Sequence, residues 1–277
     1  MADHCCATIQ NVRGFAALLG ALVLAHVSLF AQDPLGEARR LYNAASYEEA
    51  ERAARAAVAV PAVENSARVV LGRILLERFR QSASDVQLSE AREHLRGVNP
   101  GALDARERIE LLLGLAEGLY LEDRFAAAAE MFEPVITPSN TLGAAAHEHV
   151  LDWWAGALDH FAASRPPSER AYIYQRITTR MLAELELDPA CTPANYWMVA
   201  AARGAGDLES AWSKLLAAWL RAPFTRDRGA ALRADLDRLV VQALIPERAL
   251  KVTGRDLGPT TAALTADWES FKAAWAR

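Results

Sequence analysis

Apolar residues recur at helical spacing along most of the chain. One pattern repeats: a bulky residue, an Ala three positions later, an apolar residue four after that, and a small apolar residue three further on. It occurs at 47–57, 88–98, 125–135 and 208–218. Offsets of three and four place each set on one helical face, so each pattern predicts an amphipathic helix. We expect the repeated Ala to mark a place where a neighbouring helix comes too close for a larger side chain.

A further helical stretch precedes each of these helices, and a degenerate unit fills the gap before the last one. The predicted pairs are 34–44 with 47–59, 64–79 with 86–97, 104–121 with 125–136, 143–163 with 167–187, and 193–204 with 208–221. The turns inside the pairs are short, which forces antiparallel neighbours. The exception is 80–85, which is rich in Ser and Asp and is predicted to be a longer loop. The fold class predicted from this pattern is all-α.

Three segments, 38–61, 115–132 and 198–223, resemble the tetratricopeptide repeat family. The small residue of the family's first helix falls on Ala38, Gly72 and Ala116. The units exceed the family's period of about 34 residues and lack its first-helix Trp. The resemblance implies a right-handed solenoid of antiparallel helix pairs over residues 32–223. Another helical solenoid or an irregular bundle is the alternative.

In that family the first helices line a concave groove that holds a peptide, so the resemblance also implies a set of groove residues. They are Arg39, Tyr42, Asn43, Arg73, Glu77, Glu117, Tyr120, Tyr196 and Arg203. Tyr and Arg anchor interfaces more often than most side chains. The Lys and Asn set by which some members clamp a C-terminal carboxylate is not matched, because Leu35, Arg39 and Val69 occupy the comparable places. The resemblance therefore implies a non-catalytic scaffold for a protein or peptide partner, with no cofactor and no metal.

The N-terminus has the layout of a secretory signal peptide. An apolar segment, 14–31, follows Arg13 and ends before Gln32, with a small residue at the predicted cleavage site, Ala31. Its strictly apolar part, 14–25, is shorter than the roughly 20 residues that a membrane span needs. We therefore expect residues 1–31 to be removed and the protein to be exported to the periplasm of a bacterium. A retained segment would instead make it a membrane-tethered assembly factor of the cell envelope.

Beyond Pro223 the repeat fades, and residues 224–277 are predicted to form a C-terminal helical cap. The stretch 226–244 has the pattern of an amphipathic helix, and Ile245-Pro246 and Gly258-Pro259 are expected to interrupt the chain after it. The last helix, 260–277, carries Trp268, Phe271 and Trp275 on one face. A solenoid needs a terminal cap to cover its last apolar surface, whereas a docking helix for a partner is the alternative.

Composition and motifs mainly exclude functions. Hydrophobic residues make up 52% of the chain, which excludes a mostly disordered protein, and the net charge of −5 gives no sign of nucleic-acid binding. His147 and His149 do not complete a zinc-protease motif, because position 151 is Leu. An enzyme with a site near helix 143–163 remains an alternative. It would need a pocket that joins His149, Asp152 or His160 to other titratable groups.

Overall fold

The structure is a computed structural model that describes residues 33–253 and 257–275. This part of the chain contains helices and turns but no strand, which confirms the all-α prediction. The predicted signal peptide, 1–31, lies outside the described residues. Within the described ranges, no helix has both the length and the apolar character that crossing a bilayer requires.

Ten of the described helices form consecutive antiparallel pairs at the predicted places. They are α1 (Pro34–Asn43), α2 (Tyr47–Val58), α3 (Glu64–Ser82), α4 (Asp85–Arg96), α5 (Ala105–Leu121), α6 (Phe125–Phe132), α7 (Ala144–Ala163), α8 (Pro167–Leu187), α9 (Thr192–Gly204) and α10 (Leu208–Arg221). Three more come after them: α11 (Ala230–Leu239), α12 (Ile245–Thr253) and α13 (Leu257–Ala274). Short 3₁₀ turns, among them Glu133–Val135 and Pro138–Leu142, connect some of them.

The predicted loop at 80–85 is wrong, because α3 continues to Ser82 and only Ala83 and Ser84 separate it from α4. Arg78, four residues before this end, pairs with Glu51 of α2, so a tertiary contact lies next to the extra turn. The chain then reverses at Ala83, which adopts a left-handed conformation with φ of 52°. Local composition could not reveal this contact between two helices.

Two prolines predicted to interrupt the C-terminal region instead lie at the beginnings of helices. Pro246 is in the first turn of α12, and Pro259 is in the first turn of α13. Proline is tolerated there because a first-turn amide has no partner within the helix. Between α11 and α12 the chain forms a π-helical turn, Val240–Leu244, so the helical path continues through this region without a loop.

The helices form two layers. Each odd-numbered helix from α1 to α9 packs on the next odd-numbered helix, so that α1, α3, α5, α7, α9 and α11 make one continuous layer. Each even-numbered helix from α2 to α10 packs on the odd-numbered helix of its own pair and on that of the next pair. The repeated Ala residues are completely buried at these contacts, as expected: Ala50, Ala91, Ala128 and Ala211.

The C-terminal helix α13 packs on α10 and α11 through Trp268, which has 0% exposed surface. Its ring lies 6.2 Å from that of Trp212 and 5.0 Å from that of Trp219, measured between centroids. Its indole nitrogen donates a hydrogen bond to Asp237 at 2.8 Å. Trp275, one of the other aromatic residues of the predicted face, is 52% exposed.

We expect Trp268→Ala to lower the free energy of unfolding by about 3–5 kcal/mol, because it leaves a cavity and removes the indole donor from Asp237. Trp275→Ala is the matched control and should cost about 0.5 kcal/mol or less. Urea denaturation monitored by circular dichroism measures both values. Equal losses for the two variants would contradict this packing of α13.

Candidate binding surface

Four of the predicted groove residues line a single cavity. Arg39, Tyr42 and Asn43 of α1 and Arg73 of α3 face a space of about 190 Å³, which α5 closes from the third side. The α5 side of the cavity is lined by Asp104, Arg106, Glu107 and Glu110. We call the surface that runs from this cavity along the odd-numbered helices the inner face; its further members are Glu77, Arg80, Glu117, Tyr120, His149, Asp152, Trp153 and Tyr196.

The carboxylates around this cavity already have cationic or backbone partners. Glu107 accepts a hydrogen bond from Arg39 at 2.7 Å and, with Asp104, forms the reciprocal cap of α5. Glu110 pairs with Arg106 at 3.1 Å. In contrast, the Nε atoms of Arg39 and Arg73 are buried and have no hydrogen-bond acceptor in the described structure. The acidic groups of the cavity are therefore mostly engaged, and both Nε atoms are enclosed by protein.

Arg73 connects three helices of the inner face. Its guanidinium carbon lies 5.1 Å from the centroid of the Tyr42 ring on α1, a cation–π distance. Its Nη2 lies 3.6 Å from the buried Glu117 carboxylate on α5. Burial raises the pKa of Glu117, and the nearby Arg73 opposes this effect. Burial also raises the pKa of Tyr42. Three predicted groove residues thus form one coupled, largely buried group.

Aromatic side chains continue the inner face on α5 and α7. The Tyr120 ring lies 4.7 Å from the Trp153 ring, centroid to centroid, in an edge-on arrangement. Arg80, which pairs with Glu77, places its guanidinium carbon 5.1 Å from the Trp153 ring centroid. Trp153 was not among the predicted groove residues. The signal that could have identified it is its spacing of four residues from His149, on the same face of α7.

Tyr196 and Arg203 of α9 lie apart from the α1–α3–α5 cavity. Tyr196 packs edge-on against Trp197, with ring centroids 5.3 Å apart. Arg203 binds the carboxylate of Glu247 on α12, at distances of 2.5 to 3.0 Å. Arg203 is therefore tied to the C-terminal helices, and its charge is already neutralised by an ion pair.

The three residues of the enzyme alternative have separate partners. Asp152 accepts a hydrogen bond from the indole nitrogen of Trp197 at 2.8 Å. His160 stacks on Phe125 at a centroid distance of 4.5 Å, and His149 lies 5.6 Å from Trp153. No group of three or more His, Cys, Asp and Glu residues suited to a metal ion occurs within 33–253 and 257–275. His160 lines a cavity of about 350 Å³ together with Asp123, Arg124 and Arg165, whereas His149 and Asp152 do not line it.

A Ser, a His and a Glu form a hydrogen-bonded series that no sequence pattern revealed. The Nδ1 atom of His147 lies 2.9 Å from the Ser139 hydroxyl, and its Nε2 atom lies 2.9 Å from Glu184. The Ser139 side chain also donates to the Ile136 carbonyl, and Ser139 is 0% exposed. Its oxygen is therefore inaccessible to a substrate, and the series joins the turn before α7 to α7 and α8.

Comparison with family models, with curated proteins and with solved structures gives no significant match.

The raised pKa of Glu117 predicts a pH effect on stability. A carboxyl group whose pKa is higher in the folded than in the unfolded state loses its contribution to stability as the pH rises through the folded pKa. We therefore expect Glu117→Gln to remove a contribution to the free energy of unfolding that declines as the pH rises above 4.5, the ordinary pKa of the carboxyl group. Urea denaturation at a series of pH values above 4.5 measures this decline. Glu93→Gln, at an exposed position, is the control, and identical profiles for Glu117→Gln and the original protein would refute the prediction.

The closed Ser139–His147–Glu184 series predicts that Ser139 does not react with a fluorophosphonate probe. Labelling of the purified protein, detected by intact mass, checks this, with Ser139→Ala as the reference for non-specific reaction. A label on Ser139 would show that the serine becomes accessible in solution, and the enzyme alternative would then regain support.

Proposed function

We propose that the protein is a non-catalytic scaffold of the bacterial cell envelope, exported by residues 1–31, that binds a peptide segment of a protein partner along the inner face. The observation that carries this proposal is the continuous layer of α1, α3, α5, α7 and α9, which gathers Tyr and Arg side chains on one surface. Such side chains anchor most protein interfaces.

The proposed architecture is a right-handed, TPR-like solenoid over residues 32–223 with a cap at 224–277. Its support is the regular packing of each even-numbered helix between two odd-numbered ones, together with the repeated buried Ala. Burial of Trp268 between α10 and α11 favours a cap over a free docking helix for α13. A solenoid of stacked pairs requires such a cover at its end.

The donors of the inner face define how a bound segment would be held. The exposed Asn43 stands beside the cavity, and the side chains of Arg39 and Arg73 line it. Because acidic groups also surround the cavity, neutral acceptors fit it better than an added carboxylate. We therefore propose that backbone carbonyl groups of an extended segment accept hydrogen bonds from Asn43 and Arg39, while Tyr42 and Tyr120 contact its apolar side chains.

Site-specific photo-crosslinking in the source bacterium tests this proposal. A benzoylphenylalanine at the exposed inner-face position Asn43 should capture a defined partner, whereas the same group at Tyr172, an exposed position on α8, should not. The inner-face variant Tyr42→Ala with Tyr120→Ala should abolish the crosslink, and Tyr172→Ala should leave it unchanged. Circular dichroism confirms that both variants fold.

Two outcomes would overturn the proposal. Capture of the same partner only from Tyr172 would place the binding surface on the even-numbered helices. An unchanged crosslink in the Tyr42→Ala, Tyr120→Ala variant would remove these side chains from recognition. Intact-mass analysis of the envelope fraction tests export separately, because a mature chain that begins at Gln32 would exclude the membrane-tethered alternative.

A further inference from the structure

A second cavity lies on the opposite side of the molecule, between the even-numbered helices α8 and α10. Its volume is about 360 Å³, and α9 forms its floor. This volume falls at the lower end of the range of about 300–1,000 Å³ that is typical of small-molecule sites. We call it the outer cavity. It shares no residue with the inner face, so its role can be judged independently of the proposed scaffold function.

The outer cavity contains charges of both signs that have no ionic partner. Lys214 and Arg221 of α10 line it, and neither forms an ion pair with a described carboxylate. Glu186 of α8 lines it as well and forms no ion pair with a described cation. Most of the described Arg side chains do form such pairs, whereas these three charges have no ionic partner among the described residues. They are available to a ligand that carries both charges.

The polar groups on α9 and α10 orient these charges. Asn195 is only 1% exposed, and its amide nitrogen donates to the carbonyl groups of Pro189 and Cys191. This arrangement fixes the amide so that its oxygen accepts a hydrogen bond from Arg221 at 3.4 Å. Lys214 donates to the hydroxyl of Ser210 on the preceding turn. These bonds use neutral acceptors, so both cations keep their full charge for a bound anion.

Apolar side chains complete the lining. Leu182 and Leu185 of α8 and Met198 of α9 contribute to it, and Leu182 is 48% exposed. Apolar surface beside charged groups favours an amphiphilic ligand, because the apolar part is removed from water while the charged part is paired. The small residues Ala217 and Ala218 of α10 leave the space open.

We propose that the outer cavity binds a zwitterionic amino acid or dipeptide with a bulky apolar side chain. The ligand carboxylate pairs with Arg221, its ammonium group pairs with Glu186, and its apolar side chain packs on Leu182, Leu185 and Met198. Lys214, two turns before Arg221 on α10, adds a second positive charge that attracts the carboxylate. A simple anionic amphiphile such as a fatty acid fits less well, because it would leave Glu186 unpaired beside its own negative charge.

Isothermal titration calorimetry of the purified protein tests this site with a series of related probes. Leucine and Leu-Leu carry both charges, N-acetylleucine lacks the ammonium group, leucinamide lacks the carboxylate, and octanoate keeps only the anion and an apolar chain. We expect saturable binding of leucine or Leu-Leu, and at least fivefold weaker binding of each of the other three probes. Glycine, which lacks the apolar side chain, should show no saturable binding.

Charge-removing variants assign each contact. Glu186→Gln should weaken binding of Leu-Leu at least fivefold but leave binding of N-acetylleucine unchanged. Arg221→Gln and Lys214→Gln should weaken Leu-Leu and spare leucinamide. The matched controls, Glu169→Gln on α8 and Lys251→Gln on α12, remove exposed charges that lie outside the cavity and should change nothing. All five positions are at the surface or half-buried, so folding should be retained.

Two results would overturn the inference. The first is the absence of saturable binding of both leucine and Leu-Leu to the original protein. The second is binding of octanoate as tight as that of Leu-Leu, with no effect of Glu186→Gln, which would instead define a site for anionic amphiphiles. Neither result would affect the crosslinking test of the inner face, because the two sets of residues are separate.

Discussion

Close approach between neighbouring helices depends on side chains that are small at particular places. Ala38, Ala50, Ala91 and Ala116 have no exposed surface. A methyl group added at Gly72 would lie 2.6 Å from Leu95 of α4, and one at Gly204 would overlap the Tyr174 ring of α8. Overpacking of this kind typically costs about 1–3 kcal/mol. Each small residue lets two neighbouring helices pack closely. The packing of even-numbered helices on the odd-numbered layer then gives the molecule its inner face and the opposite side that carries the outer cavity.

The layering also determines where polar groups must find partners. Arg73 and Glu117 face each other because α3 and α5 are neighbours in the odd-numbered layer, and their proximity reduces the cost of burying either charge. His147 of α7 contacts Ser139 and Glu184 because the turn before α7 and the helix α8 both pack beside it. These polar contacts bind successive helices to one another. Arg39 and Arg221 each face a cavity, and each has guanidinium N–H groups that remain available to a ligand.

The all-α class and the positions of the helices could be predicted from the sequence. The predicted helices of the five pairs agree with α1–α10 to within four residues at each end, because apolar periodicity and turn residues act within a few positions along the chain. The wrong helix boundaries lie where contacts with residues distant in the sequence determine the structure. Arg78, near the end of α3, pairs with Glu51 of α2, and the π-helical turn Val240–Leu244 leads directly into α12, which contains Pro246. Neither feature is indicated by the residues next to it in the sequence.

The candidate site could be predicted only in part. The resemblance to a repeat family placed Arg39, Tyr42, Asn43 and Arg73 on first helices, and the structure brings these four to one cavity. It could not show that Arg203 would be paired with Glu247, and the outer cavity joins residues of α8, α9 and α10 that no motif connects. The helices and their buried faces are encoded in the amino-acid sequence alone, because they depend on neighbours three or four positions away. Which charges are paired and which remain free is settled by tertiary packing, because a charge is neutralised by whatever the fold brings within a few ångströms.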